Sequence, residues 1–141
     1  MILDTNVLSE IMRGDPTNVV TSWLDAHPDT EFTLAAVTVQ ETTFGLARMP
    51  EGSRRDRLEG TWRHLWAHLT LNVLPCDAEV ATQAGMFSAT REQAGRHLGM
   101  ADAQIAATAF VHGVPLATRN TKDFEGLGIE LVDPWKNSDS S

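Results

Sequence analysis

Apolar and polar positions change period several times along the chain. Met1-Ile2-Leu3 is a short apolar run ending at Asp4, which predicts a buried strand. Val7, Leu8, Ile11 and Met12 then recur at helical spacing from Asn6 to Arg13, until Gly14-Asp15-Pro16 breaks the pattern. Pro16 can start a second helix through Val19, Val20, Trp23 and Leu24, closed by His27-Pro28-Asp29. Phe32 to Ala35 predicts another strand, followed by a helix over Thr38 to Met49 that turns Phe44 and Leu46 to the core. An amphipathic helix with a basic first half spans Glu51 to Leu69, and Leu71 to Pro75 is a third strand. Asp77 is a good N-cap for a long helix running to Leu98. Ala101 to His112 is almost wholly small or apolar, a closely packed helix with Gly113 as its C-cap. Val114 to Thr118 and Ile129 to Val132 complete five short strands. Strands alternating with helices in this way imply a parallel sheet with helices on both faces.

Composition narrows the class. With 141 residues, 42% hydrophobic and 21% charged, the chain is expected to form one domain over residues 1–135, with residues 136–141 as a polar, frayed tail. A single Cys76 cannot form an internal disulfide, and Asp4 stands where a signal peptide needs a basic start and an apolar run. No stretch has the length of a membrane span. A reducing, cytoplasmic setting is the expectation. Eleven basic against 19 acidic residues give a formal charge of -8, which argues against a nonspecific nucleic-acid coat or a membrane-surface binder. It leaves room for a nuclease with a local basic patch or a bound cation.

Four acids occupy equivalent places in this pattern: Asp4, Glu41, Asp102 and Asp123 each follow a strand or fall in the first turn of a helix. Each has a local explanation. Asp4 can cap the helix that follows, Thr38-Val39-Gln40-Glu41 matches a capping box, Asp102 can face a helix dipole, and Asp123 can cap the turn Phe124-Glu125-Gly126. As a set they say more, because ligands of open parallel sheets bind beyond the carboxyl ends of the strands. Carboxylates about 5 Å apart repel by roughly 3 kcal/mol per pair at an effective dielectric of 20, so a cluster calls for protons or a cation. Oxygen ligands without converging His or Cys favour Mg²⁺ or Mn²⁺ over Zn²⁺. Mg²⁺ with few carboxylates and a substrate phosphate points to phosphodiester hydrolysis.

Met1 to Glu10 (Met-Ile-Leu-Asp-Thr-Asn-Val-Leu-Ser-Glu), Thr38 to Glu41, Met100 to Ala109 and Ala117 to Phe124 together resemble the successive motifs of the PIN-domain family, in its VapC and FitB-like toxin branch. The likeness runs from Met1 to about Trp135. It implies a PIN-like three-layer α/β/α sandwich around a central, mainly parallel sheet of about five strands. It also implies a Mg²⁺-dependent endoribonuclease acting as the toxin of a type II toxin-antitoxin module, with RNA as substrate, a cognate antitoxin and a second copy of the chain as partners. Asp4, Glu41 and Asp102 match the family's acidic metal-binding positions. The fourth position departs: Asn120 stands where an acid often follows the Thr-Arg pair, and Asp123 comes three residues later. Thr5, Asn6 and Thr118 are candidates to orient carboxylates or bind phosphate, and Arg119 and Lys122 to contact phosphate. The acids near helix starts are expected to stay ionised at neutral pH. Rival readings are a catalytically weak PIN-like RNA- or protein-binding module, which Asn120 would suit, and an acid-pocket phosphoryl-transfer domain. Against the latter, Asp4-Thr5-Asn6 lacks a second Asp two residues on.

Other signals are weaker. Arg54, Arg55, Arg57 and Arg63 beside Trp62 and Trp66 can track an RNA backbone, or form a solvated face over buried indoles. His64 and His68 have the spacing of a zinc pair but no third ligand. Cys76 reads as a buried thiol, and Trp23, Met86, Phe87 and Phe110 as core or interface. No glycine-rich phosphate loop is present, which argues against a dinucleotide enzyme or a P-loop NTPase.

Overall fold

Successive strand residues send their side chains to opposite faces of one sheet, and that alternation builds the molecule. Ile2, Ala35 and Leu116 point to one side and Leu3, Leu34 and Ala117 to the other, all at most 1% exposed. The computed structural model describes residues 1–15, 17–68 and 72–136, the side chain of His68 excepted. Pro16 as a helix start, Leu69 as a helix end, Leu71 as a strand start and the tail beyond residue 136 lie outside the described residues, as does His68's part in a zinc pair.

The elements are β1 (Ile2–Leu3), α1 (Thr5–Met12), α2 (Val19–Asp25), β2 (Thr33–Ala35), α3 (Ala36–Ala47), α4 (Ser53–His68), β3 (Asn72–Leu74), α5 (Ala78–Gln93), α6 (Met100–His112), β4 (Leu116–Ala117), α7 (Thr121–Phe124) and β5 (Leu131–Val132). The strands pair in the order β3-β2-β1-β4-β5, every pair parallel. Each strand is only two or three residues long, so β4 and β5 are shorter than the apolar runs 114–118 and 129–132 that predict them.

Two cores flank the sheet, as a three-layer α/β/α sandwich requires. One packs Val80, Ala84 and Phe87 of α5 and the small residues Ala103, Ala106, Ala107 and Ala109 of α6 against Ile2 and Leu116. The other packs Val7, Leu8, Ile11, Val20, Trp23 and Leu65 against Leu3 and Leu34. Trp62 and Trp66 meet edge to face at 5.3 Å and lean on this second core, which settles the indoles of α4 as packing residues.

Caps explain several boundaries. Asp77 accepts from Val80 N at 3.0 Å and Asn18 from Val20 N at 2.7 Å, starting α5 and α2. Gly113 closes α6 with φ 64°, a left-handed conformation that favours glycine. The long helix from Asp77 stops at Gln93, not at Leu98. Arg96 N donates to Arg91 O (2.8 Å) and Gly95 N to Glu92 O (2.9 Å), a reverse turn through Gly95 at φ 75° that satisfies the last carbonyls and drops Leu98 into the core.

Three further expectations are corrected. The helix predicted from Thr38 starts at Ala36, so Thr38 and Glu41 sit inside it and form no capping box. Phe44 is 63% exposed, since α3 turns Leu46 inward and Phe44 falls on its outer side. Cys76 is exposed, because it lies in the open link between β3 and α5.

Candidate active site

The sheet order places a switch point between β1 and β4: the chain adds β2 and β3 on one side of β1 and then returns to add β4 and β5 on the other. Crevices form there, beyond the carboxyl ends of the strands. Asp4 is the first residue past β1 and Thr118 the first past β4. Asp4 N donates to Ala117 O at 2.9 Å, which locks the two strand ends together. On that base the Asp4 carboxylate, 4% exposed, is held at both oxygens: Thr5 N donates to Oδ1 (2.8 Å) and Thr118 Oγ1 to Oδ2 (2.7 Å). Asn120 N in turn donates to Thr118 Oγ1 at 3.1 Å.

Glu41 reaches the same place from α3. Thr5 Oγ1 donates to its Oε1 at 2.7 Å and stands 3.2 Å from Thr38 Oγ1, so α1 and α3 are tied at the crevice. Thr38 was visible in the sequence only as a cap; its position one turn before Glu41 is what gives it this contact. Asp102 lies in the first turn of α6 and Asp123 in α7. Among the described residues neither carboxylate has a hydrogen-bond partner, and Asp123 caps no turn. Asn6 Oδ1, on α1 beside these groups, is buried without a partner.

Electrostatics shows that the four acids share one field. Asp102 is pushed up to about 6, first by burial and then by Asp4, Asp123 and Glu41. Asp4 is also raised, by burial above all, with Glu41 and Asp123 adding to it while the Thr118 and Thr5 hydrogen bonds oppose it. Both shifts run against the direction expected from helix dipoles, because desolvation and mutual repulsion outweigh a partial charge at a helix end. Asp102 still remains largely ionised at neutral pH. Among the described residues the ion pairs are Arg13–Glu10 and Arg55–Glu59, so no cationic side chain neutralises the four acids.

The donor set fits a hard divalent cation. It is all oxygen and mutually repelling, although among the described residues no three His, Cys, Asp or Glu side chains are grouped closely enough to hold an ion by themselves. An open set suits a cation that retains several waters and binds through few carboxylates.

A groove of about 500 Å³ runs from Thr5 and Glu41 between α1, α3 and α4, with Met12, Leu46 and Leu58 along its floor and Arg13, Arg54 and Arg57 on its rim. Arg55 is engaged by Glu59 and does not share it. Arg119 stacks on Trp135, 4.9 Å from the ring centroid, and is held at the edge of the site by that contact. Arg91 went unnoticed in the sequence. Its signal is an arginine closing the otherwise apolar stripe Val80, Ala84, Phe87 on α5.

The PIN domain family matches residues 1–129. Over 140 residues the chain is 40% identical to VapC ribonuclease Y4jK of Sinorhizobium fredii, covering 96% of this chain and 98% of that one. Among solved structures, FitAcB from Neisseria gonorrhoeae superposes with a TM-score of 0.80 at 31% identity, covering 96% of this chain and 98% of the other. A toxin-antitoxin complex from Klebsiella pneumoniae superposes with a TM-score of 0.69 at 26% identity, covering 94% and 96%.

Proposed function

The chain belongs to the PIN-domain family, and on that premise we propose that it is a divalent-metal-dependent endoribonuclease, the toxin of a VapBC-type toxin-antitoxin pair. A single domain over residues 1–135 would hold this activity. The observation that carries the reading is the shared field of Asp4, Glu41, Asp102 and Asp123 at the switch point, with no cationic side chain among the described residues paired to them.

In this reading Asp4, Glu41 and Asp102 would hold the cation directly or through its waters, Mg²⁺ with Mn²⁺ as a substitute. Asp123 adds negative charge from α7, and Asn120 offers a carbonyl oxygen. A divalent cation, when bound, supplies Lewis acidity and an activated water for hydrolysis of the phosphodiester. The chain's own residues do the positioning. Thr118 and the Thr5 amide fix both oxygens of Asp4, and the Thr5 hydroxyl fixes one oxygen of Glu41, so neither carboxylate must reorganise when substrate arrives. Arg54 and Arg57, exposed on the groove rim, offer charge to an RNA backbone entering at Glu41, and Arg119 and Lys122 do so beside Asp123.

A cognate antitoxin is the expected protein partner. A second copy of the chain is proposed to meet the face where Phe44 (63% exposed) and Met100 (79% exposed) stand on opposite walls of one groove between α3 and α6. Among the described residues no helix is long and apolar enough to cross a membrane.

The test is cleavage of single-stranded RNA by the purified chain with Mg²⁺ or Mn²⁺, with and without a chelator. Activity is expected to disappear with the chelator and in Asp4→Asn and Asp102→Asn. Undiminished cleavage in both variants would remove the assigned roles. Metal uptake and RNA binding without cleavage would leave the weak binding module as the reading.

A further inference from the structure

Among the described residues, two charged side chains are buried: Asp4, in the acid site, and Arg91, on the far side of the neighbouring loop. Arg91 is 8% exposed at the end of the apolar stripe of α5 and has no carboxylate partner among the described residues. Burying a guanidinium without a counter-charge is costly unless its N–H groups find good acceptors. Its Nη2 finds two, the main-chain carbonyls of Asp123 (3.1 Å) and Glu125, while its Nε has none. From the same end of α5, Arg96 Nη2 donates to the carbonyl of Lys122 at 3.3 Å. The acceptors all belong to α7 and its extended C-cap, whose carbonyls need outside donors because a four-residue helix leaves them unsatisfied. Phe124, 1% exposed, is the other anchor of this turn. Between the anchored carbonyl and the anchored phenyl ring stands Asp123, whose own carboxylate is exposed, unbonded among the described residues, and felt at both Asp4 and Asp102.

We propose that Arg91 is a positioning residue of the acid site: by gripping the Asp123 and Glu125 carbonyls it fixes where Asp123 stands relative to Asp4 and Asp102, and so sets the affinity for the divalent cation. This rests on the metal-dependent reading above. A merely structural arginine would lower stability and leave cation affinity alone. A positioning one acts on affinity through Asp123.

The experiment is Mn²⁺ titration of the metal-free full chain by calorimetry, on wild type, Arg91→Gln, Arg91→Lys, Asp123→Asn and the Arg91→Lys/Asp123→Asn double variant. Amide exchange over residues 119–125 is measured without metal. Arg91→Gln is expected to weaken Mn²⁺ binding about tenfold and to speed exchange of that segment, with partial recovery in Arg91→Lys. In the Asp123→Asn background the lysine change is expected to have no further effect on affinity. Unchanged Mn²⁺ affinity in folded Arg91 variants overturns the proposal, and so does an equal loss with Asp123 already removed. Should Arg91→Gln not fold, Arg91→Lys carries the comparison. Asp123→Asn binding Mn²⁺ like wild type overturns it regardless of the Arg91 variants. Wild type taking up no Mn²⁺ fails both this proposal and the nuclease reading; wild type that binds Mn²⁺ and cleaves RNA, beside Arg91 variants that bind it equally, fails this one alone.

Discussion

Thr118 donates a 2.7 Å hydrogen bond to Oδ2 of Asp4 across 114 positions of sequence, and both residues are buried. The bond opposes the upward push that burial gives Asp4 and so helps keep it in the charged form a cation needs. Thr118→Val keeps the shape and removes the donor. It is expected to cost about 1–3 kcal/mol in chemical denaturation near neutral pH, because a buried carboxylate oxygen is left without its partner. Thr118→Ser should recover most of this. Equal stability of the valine and serine variants would show that the hydroxyl does not hold Asp4.

Asp102 gives a pH signature. The folded state holds its proton up to about pH 6, against 3.8 for the ordinary carboxylate. Native protein therefore binds more protons than unfolded chain between these values, and stability falls as pH rises through them. The favourable contribution is complete below about 3.8 and gone above about 6. Asp102→Asn should match wild type in acid and exceed it near neutral pH by on the order of 1 kcal/mol, a figure reduced for solvent at this partly open site. Added Mn²⁺ should reverse the order, stabilising wild type and not the variant. Denaturation curves at three pH values, with and without Mn²⁺, decide it; a variant that gains nothing from acid to neutral pH contradicts the repulsion inferred here.

Arg54 and Arg57 stand on the rim of the groove that ends at Glu41. If RNA runs along it, replacing one by Gln should lower the slope of log affinity against log salt by about 0.7. KM for a single-stranded substrate is expected to rise with kcat nearly unchanged. Salt-dependent binding curves that overlay those of wild type would place the RNA elsewhere.

Phe44 and Met100 supply the test of self-association. Phe44→Asp is expected to convert a dimer to a monomer in sedimentation at micromolar concentration without lowering thermal stability, since the ring is 63% exposed and its cation–π partner Arg48 is itself exposed. Dimers that persist in the variant would move the contact to another face.

Much of the fold was legible because its causes are short-range. The alternation at Ile2 and Leu3 and at Leu34 and Ala35 marks buried strands, Asp77 marks a helix start, and Gly113 marks a helix end. Where the pattern misled, a local signal had two meanings. Thr38 and Glu41 are three residues apart at a capping box and equally on one face inside any helix, and only the start at Ala36 selects the second. Apolar identity alone did not say that Leu98 is reached by a turn through Gly95, or that Phe44 faces out.

By itself the amino-acid order determined most of the elements, their alternation and the placing of Asp4 and Asp102 at the starts of helices, since hydrophobic period and capping act over a few residues. Only the tertiary structure decided that these acids lie within one another's electrostatic field. The sheet order β3-β2-β1-β4-β5 sets the ends of β1 and β4 side by side, and α3, α6 and α7 then bring Glu41, Asp102 and Asp123 to that edge. No local rule encodes strand order, which is settled by how both faces of the sheet are covered at once. For the same reason, the grip of Arg91 on α7 became visible only when α5 was packed beside it.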